Sequence, residues 1–195
     1  MTDPVIHPNF HHVNLKTTRL EEMIDFYREL VGAEVIFQDQ VGAWLSNDDA
    51  NHRVALLAFP NFVNDPDKDT RTGMHHSAFE YASFEDLNSS YLRLRDAGIT
   101  PALCLDHGMT FSYYYADPDG NNVELQVDNF GSWEKSTEWM RTSDEFKANP
   151  IGQFVDPERV ADDHAEGLSF EEIHAKAMAG GYAPEHAPVE IPEVS

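Results

Sequence analysis

Cysteine is almost missing from this sequence of 195 residues, because Cys104 is the only one. A single cysteine cannot form a disulfide within the chain, and it excludes a zinc site built from several cysteine ligands. Basic residues are also few: 13 lysines and arginines stand against 35 aspartates and glutamates, for a formal net charge of -22. Such a charge repels phosphate groups, so we expect neither nucleic acid nor a membrane surface as a partner.

Long hydrophobic runs are missing as well. No stretch approaches the roughly 20 apolar residues that a transmembrane helix needs. Residues 1–8 have neither the basic start nor the apolar stretch of a secretory signal, so the sequence predicts a cytoplasmic protein. With 41% hydrophobic residues, the chain is long enough to form one well-packed domain with an appendage.

An internal repeat organises the first two thirds of the chain. FHHVNL at residues 10–15 aligns with MHHSAF at residues 74–79, so that His12 meets His76. At the same shift Tyr27 aligns with Tyr91 and Leu30 aligns with Leu94, without a gap. Such self-similarity indicates two copies of one structural unit.

Each copy has the pattern of one strand, one helix and three strands. Apolar residues recur at helical spacing over residues 20–30 in the first copy and 87–97 in the second. Strand-like runs follow at residues 34–37, 43–45 and 54–59, and again at 102–105, 110–116 and 122–127. The segment DPDG at residues 117–120 predicts a tight hairpin turn, because proline fixes φ and glycine allows a positive φ.

The predicted fold class is therefore α+β, with two tandem βαβββ modules at residues 9–60 and 73–128. Neither module can bury a sheet face alone, so we expect one curved sheet in a domain of residues 1–130. Residues 131–195 form a helical tail, whose aromatic residues predict that it covers a pocket mouth or a subunit interface. About the last 12 residues are rich in proline and glutamate and are predicted to be disordered.

A metal site is predicted inside the curved sheet. His12 and His76 hold equivalent places in the two copies, so both can face one cavity. Glu124 lies in an otherwise apolar strand, where a carboxylate needs compensation by a partner such as a metal ion. Two histidines and one carboxylate leave open coordination positions, as in non-haem Fe(II) sites that react with O₂. Alternation along each strand points His11 and His75 to the opposite face, as structural residues.

Three motifs together resemble the vicinal oxygen chelate superfamily, which includes glyoxalase I, bleomycin-resistance proteins and type I extradiol catechol dioxygenases. They are HVNL at residues 12–15, HSAF at 76–79, and the DPDG turn ahead of Val123-Glu124-Leu125. The resemblance covers about residues 10–127 and is greatest to the one-domain dioxygenases. It implies an Fe(II) ion at His12, His76 and Glu124, with Mn(II) as the alternative metal.

The resemblance also implies roles around the metal. HRVAL at residues 52–56 resembles the dioxygenases' His-x-Val-Ala-Phe strand, which implies that His52 is the acid–base catalyst beside the O₂ site. His107, ahead of a Ser-Tyr-Tyr segment, resembles their second pocket histidine, and Tyr114 resembles the tyrosine that hydrogen-bonds the substrate hydroxyl. Alternation alone leaves open whether Tyr114, or Tyr113 together with Tyr115, faces inward.

The expected function is extradiol cleavage of a catechol or 2,3-dihydroxybiphenyl-like substrate, with both atoms of O₂ incorporated, by a homo-oligomer active in aromatic hydrocarbon catabolism. One alternative is a metal-dependent lyase or isomerase of the glyoxalase or epimerase kind. Glyoxalase-type sites generally require a second glutamate in the first copy. The shift that aligns His12 with His76 aligns Glu124 with Pro60, so that carboxylate is missing. The other alternative is a metal-free drug-binding protein, which would not need the three predicted ligands.

Overall fold

The computed structural model of the chain describes residues 5–188 and has the predicted α+β architecture. Its strands form two sheets, one in each repeat, so the expectation of one curved sheet is corrected. The reason is that the first strand of each module pairs in parallel with the last strand of the same module. The described chain divides into two compact units: unit 1 runs up to Gly73 and includes the turn Asp117–Gly120, and unit 2 holds the remainder from Met74.

Unit 1 contains a four-stranded sheet and one long helix. Its elements are β1 (Val13–Lys16), α1 (Leu20–Val31), β2 (Glu34–Gln38), β3 (Gly42–Ser46), β4 (Val54–Leu57) and a short 3-10 helix (Lys68–Thr70). The strand order is β1-β4-β3-β2, and β3 is antiparallel to both of its neighbours. The apolar face of α1 is buried over Met23, Ile24, Tyr27 and Leu30, as the helical spacing predicts.

Unit 2 repeats this pattern and extends it. Its repeat elements are β5 (His76–Tyr81), α2 (Phe84–Asp96), β6 (Leu103–Asp106), β7 (Thr110–Ala116) and β8 (Asn122–Asp128). The helix α2 is capped by Ser83, whose hydroxyl accepts a hydrogen bond from the backbone N–H of Asp86. The hairpin between β7 and β8 turns at Gly120, which has a φ of +77° and donates its N–H to the carbonyl of Asp117 over 2.8 Å. The predicted turn is therefore confirmed.

The tail is helical, as predicted, and it also contributes a strand. It contains α3 (Trp133–Thr142), α4 (Asp144–Ala148), β9 (Gln153–Phe154), α5 (Pro157–Ala165) and α6 (Phe170–Met178). Strand β9 pairs with β6, so the sheet of unit 2 has the order β5-β8-β7-β6-β9. The disorder expected at the end of the chain falls largely on residues 189–195, which lie outside the described residues. Within residues 5–188, no helix is long and apolar enough to cross a membrane.

Candidate active site

Glu124 lies at the centre of the polar group in unit 2. It stands in the middle of β8 between the buried Val123 and Leu125, and it is only 4% exposed. His76 is the first residue of β5, the parallel neighbour of β8. Its Nε2 atom lies 3.1 Å from Oε2 of Glu124. Sheet pairing within one unit thus brings together two of the three predicted metal ligands.

His76 and Glu124 each stabilise the charged form of the other. Burial would raise the pKa of Glu124, but hydrogen bonds from His76, Ser112 and Tyr114 hold it below the usual value. The hydrogen bond to Glu124 raises the pKa of His76, although burial acts in the opposite direction. The carboxylate is therefore ionised at neutral pH and is available as an anionic ligand.

The register of the β7–β8 hairpin decides which tyrosine faces Glu124. Tyr114 stands directly opposite Glu124, whereas Tyr113 pairs with Leu125 and Tyr115 pairs with Val123. Directly opposite residues of an antiparallel pair point to the same face. The Tyr114 hydroxyl donates a hydrogen bond of 2.8 Å to Oε1 of Glu124. Of the three tyrosines that alternation could not distinguish, Tyr114 is therefore the one beside Glu124.

His107 extends this group from the loop between β6 and β7. Its Nε2 atom lies 2.8 Å from the Tyr114 hydroxyl, and its Nδ1 atom lies 2.7 Å from the carbonyl oxygen of Ile151. Because a carbonyl oxygen can only accept, Nδ1 carries a hydrogen, and in the neutral ring Nε2 is an acceptor. Burial lowers the pKa of His107 despite the opposing charge of Glu124. The single hydroxyl hydrogen of Tyr114 thus has two acceptors, Glu124 and His107.

In unit 1 the structure places His12 beside His52 and His11. One ligand atom from each of the three lies within 4.8 Å of the others, and the rings of His12 and His52 are 4.3 Å apart. The expectation that His11 points away from His12 is wrong, since their Nδ1 atoms are only 3.1 Å apart. The reason is that β1 begins at Val13, so strand alternation does not extend to these residues. His11 is a candidate ligand in its own right.

Two more groups in unit 1 bear on these histidines. Burial, followed by the charges of His12 and His11, lowers the pKa of His52, so its imidazole is neutral at pH 7. Arg53 binds Asp48 through Nε and Nη2 at 2.9 and 2.7 Å, and its Nη1 donates to the carbonyl of His11 at 2.9 Å. Arg53 therefore ties the backbone before β1 to the loop before β4. Sequence reasoning had no signal for this role beyond the charge of Arg53.

Comparison with known proteins identifies the family. Residues 9–125 match the sequence model of the Glyoxalase/Bleomycin resistance protein/Dioxygenase superfamily. The chain belongs to this superfamily. Biphenyl-2,3-diol 1,2-dioxygenases 2 and 3 of Rhodococcus globerulus are each 37% identical to it over 172 residues, which is 88% of this chain and 90% of the relative. A superfamily domain from Frankia sp. EAN1pec shares its fold, with a TM-score of 0.53 and 18% identity over 63% of this chain and 99% of that domain.

The residues of this superfamily member fit a divalent metal ion. Two donor atoms that are each about 2.1 Å from one ion and at right angles are about 3.0 Å apart. The distance between Nε2 of His76 and Oε2 of Glu124 is 3.1 Å, which agrees with that arrangement. Imidazole nitrogens and a carboxylate are ligands that Fe(II) and Mn(II) accept. The carboxylate is also held in place for a metal, because Tyr114 hydrogen-bonds the other oxygen of Glu124.

The strand registers also locate the position in unit 1 that corresponds to Glu124. Asn14 of β1 is opposite Ala55, and Ala78 of β5 is opposite Glu124. Because Asn14 and Ala78 are equivalent in the repeat, Ala55 and not Pro60 is the counterpart of Glu124. The repeat shift is therefore larger at this strand than at the first one, because the chain from β5 to β8 is longer than the chain from β1 to β4. The counterpart is again no carboxylate, which disfavours the glyoxalase type of site.

Proposed function

We propose that the chain is an Fe(II)-dependent extradiol dioxygenase that cleaves the ring of a catechol or 2,3-dihydroxybiphenyl-like substrate next to its two hydroxyls. The observation that carries this proposal is the continuous contact from His76 through Glu124 and Tyr114 to His107. It joins two metal-ligand types to a phenol and an imidazole, which are the groups that a catechol hydroxyl needs for binding and proton transfer. The 37% identity to two biphenyl-2,3-diol dioxygenases supports the same reaction.

The metal ligands in this proposal are His76, Glu124 and His12. His76 and Glu124 are proposed from their contact and chemistry, and His12 is proposed as the counterpart of His76 in the repeat. When bound by these residues, Fe(II), or Mn(II) as the alternative, would supply Lewis-acid and redox chemistry toward a catechol and O₂.

The roles of the protein's own groups follow from their hydrogen bonds. Tyr114 and His107 hold the substrate hydroxyl, and Nε2 of His107, which carries no hydrogen in the neutral ring, takes its proton. His52 is proposed as the second acid–base group. Because its lowered pKa keeps the ring neutral at pH 7, it can accept a proton and return it in a later step.

Anaerobic loading with Fe(II), followed by air and 2,3-dihydroxybiphenyl or 3-methylcatechol, tests the proposal. A yellow ring-cleavage product is expected from the wild type, and neither Glu124→Ala nor His76→Ala should form it or retain iron. His7→Ala, which changes an exposed histidine, is the matched control and should keep both properties. Full iron content without colour from any catechol would overturn the dioxygenase proposal.

The histidine cluster of unit 1 makes a separate test of the third ligand possible. If His12 binds the catalytic iron, His12→Ala should lose iron, whereas His11→Ala should keep it. Loss of iron in His11→Ala as well would instead indicate a metal site formed by His11, His12 and His52. Measuring bound iron in the two purified variants separates these results without any activity assay.

The cellular context of the proposed enzyme also remains a prediction. A role in the breakdown of aromatic hydrocarbons, a cytoplasmic location and a homo-oligomeric state are inferred from the sequence and the proposed reaction. Sedimentation analysis of the purified protein tests the last of these, and a single species with a mass near 22.1 kDa would contradict it.

A further inference from the structure

The tail of unit 2 contacts the loop that carries His107 at three points. The carbonyl of Ile151 accepts the hydrogen bond from Nδ1 of His107. A Cβ atom on Gly152 would lie 2.0 Å from the carbonyl oxygen of Asp106 and 2.7 Å from Cα of His107. A Cβ atom on Gly108 would lie 2.2 Å from the indole of Trp139. Tail and loop backbones therefore approach each other as closely as glycine permits.

The buried carboxylate of Asp106, at the start of this loop, has three hydrogen-bond partners. Asp106 is 0% exposed, so its carboxylate needs donors in place of water. Nδ1 of His174 in α6 lies 2.7 Å from Oδ2, and the amide of Asn129 lies 3.0 Å from Oδ1. The backbone N–H of Gly108 lies 2.8 Å from Oδ1. The carboxylate thus connects α6 to the residues on both sides of His107.

These contacts leave His107 little freedom. Its backbone is set by the neighbouring Asp106 and by an N–H bond of 2.9 Å to the carbonyl of Thr110. Its ring is set at one nitrogen by the tail and at the other by Tyr114. The bond to Ile151 also selects the tautomer with hydrogen on Nδ1, since the opposite tautomer would place a lone pair against the carbonyl oxygen.

We propose that His174 is a positioning residue of the active site: through Asp106 it holds the loop so that Ile151 fixes the ring and tautomer of His107. The tail is in this view a part of the catalytic apparatus. His174 acts on the reaction only through His107. The catalytic consequence rests on the proposed dioxygenase function, whereas the effect on the His107 ring does not.

The ring of His107 can be observed directly by ¹⁵N NMR of the histidine side chains in the metal-free protein. Its signals are assigned as those that vanish in His107→Gln. In the wild type they should show hydrogen on Nδ1. In His174→Ala they should move toward a mixture of tautomers, because the Ile151 bond is no longer held. His174→Asn keeps a donor at the place of Nδ1 and should restore the wild-type signals.

Kinetics of the Fe(II)-loaded enzyme give the second measurement. His174→Ala should lower kcat by about 10- to 100-fold, the loss expected from a catalytic group misplaced by about 1 Å. Bound iron should not change, and His174→Asn should recover most of the loss. Lys176→Met is the matched control, because it lies on the same helix and its ammonium binds Asp163. It should change neither kcat nor the signals of His107.

The outcomes separate the positioning role from the dioxygenase reaction. Unchanged His107 signals in a folded His174→Ala would overturn the positioning role, whatever the activity. Changed signals in a protein that cleaves no catechol would confirm positioning and refute only the proposed function. If His174→Ala does not fold, Asp106→Asn supplies the test, because it keeps the buried shape and weakens the bond from His174. Wild-type signals in that variant would also overturn the proposal.

Discussion

Replacing Gly152 with alanine should separate the tail from the His107 loop. Gly152 has a φ of +88°, and an added Cβ would lie 2.0 Å from the carbonyl oxygen of Asp106 and 2.7 Å from Cα of His107. Neither of these atoms belongs to a flexible side chain, because both are backbone atoms: Asp106 ends strand β6 and His107 follows it. The clash can therefore be relieved only if the segment around Gly152 moves away from the loop.

The expected loss of unfolding free energy follows from the backbone strain and from the interactions that this movement weakens. An L-residue in the left-handed region costs about 1–2 kcal/mol. Separation also weakens the bond between His107 and Ile151 and the pairing of Leu105 with Phe154. At about 0.5–1.5 kcal/mol net for each hydrogen bond, the sum is about 2–5 kcal/mol of unfolding free energy.

Urea unfolding of the wild type and two glycine variants measures this cost. Gly167→Ala is the matched control: its φ is +101°, but nothing lies within 4 Å of its added Cβ. It should lose only the backbone contribution of about 1–2 kcal/mol. Gly152→Ala should lose clearly more, and its kcat should fall while that of Gly167→Ala stays at the wild-type level. Equal destabilisation of both variants would refute the close approach between tail and loop.

Three further predictions concern the core, the buried ion pair and a helix end. Leu45 is 0% exposed, so Leu45→Ala should lower the unfolding free energy by about 2–5 kcal/mol in urea. Burial lowers the pKa of His174, but the bond and charge of Asp106, with the charge of Glu145, raise it overall. Protonated His174 stabilises the folded state fully below the unfolded pKa of about 6.5, and this stabilisation is lost as the pH rises through the folded pKa. Between pH 6 and pH 8, the unfolding free energy of the wild type should therefore fall more than that of His174→Asn. Ser169 forms a capping box at the start of α6, and Ser169→Ala should cost about 1 kcal/mol by thermal or urea unfolding.

The pairing of Tyr114 with Glu124 in unit 2 could be predicted, because the geometry of the turn and of the paired strands determines it. Proline and glycine in the turn Asp117–Gly120 fix the hairpin, and a hairpin turn fixes the register of its strands. Paired residue numbers on β7 and β8 add up to 238, as in Tyr114 with Glu124 (114 plus 124). The midpoint is residue 119, inside the predicted turn. The facing of Tyr114 and Glu124 could thus have been counted from the sequence, without the family resemblance.

Predictions from periodicity failed where the chain leaves regular structure. His11 lies before the start of β1, so the alternation that placed it opposite His12 had no physical basis there. The register of the two copies also diverged after the first helix. Extrapolating one constant shift therefore gave Pro60 instead of Ala55. Both errors have the same origin, because a repeat distance or an alternation holds only within an unbroken element.

The contacts of the tail were beyond sequence reasoning for a different reason. His174 and Asp106 are 68 residues apart, and a single long-range pair produces no periodic pattern. The partner of His107 is a main-chain carbonyl, so the side chain of Ile151 carries no sign of it. The requirement appears instead at Gly152 and Gly108, where only hydrogen fits between tail and loop. The residues that fix the position of His107 are therefore glycines next to the contact, where the sequence shows only the small residue and not the hydrogen bond beside it.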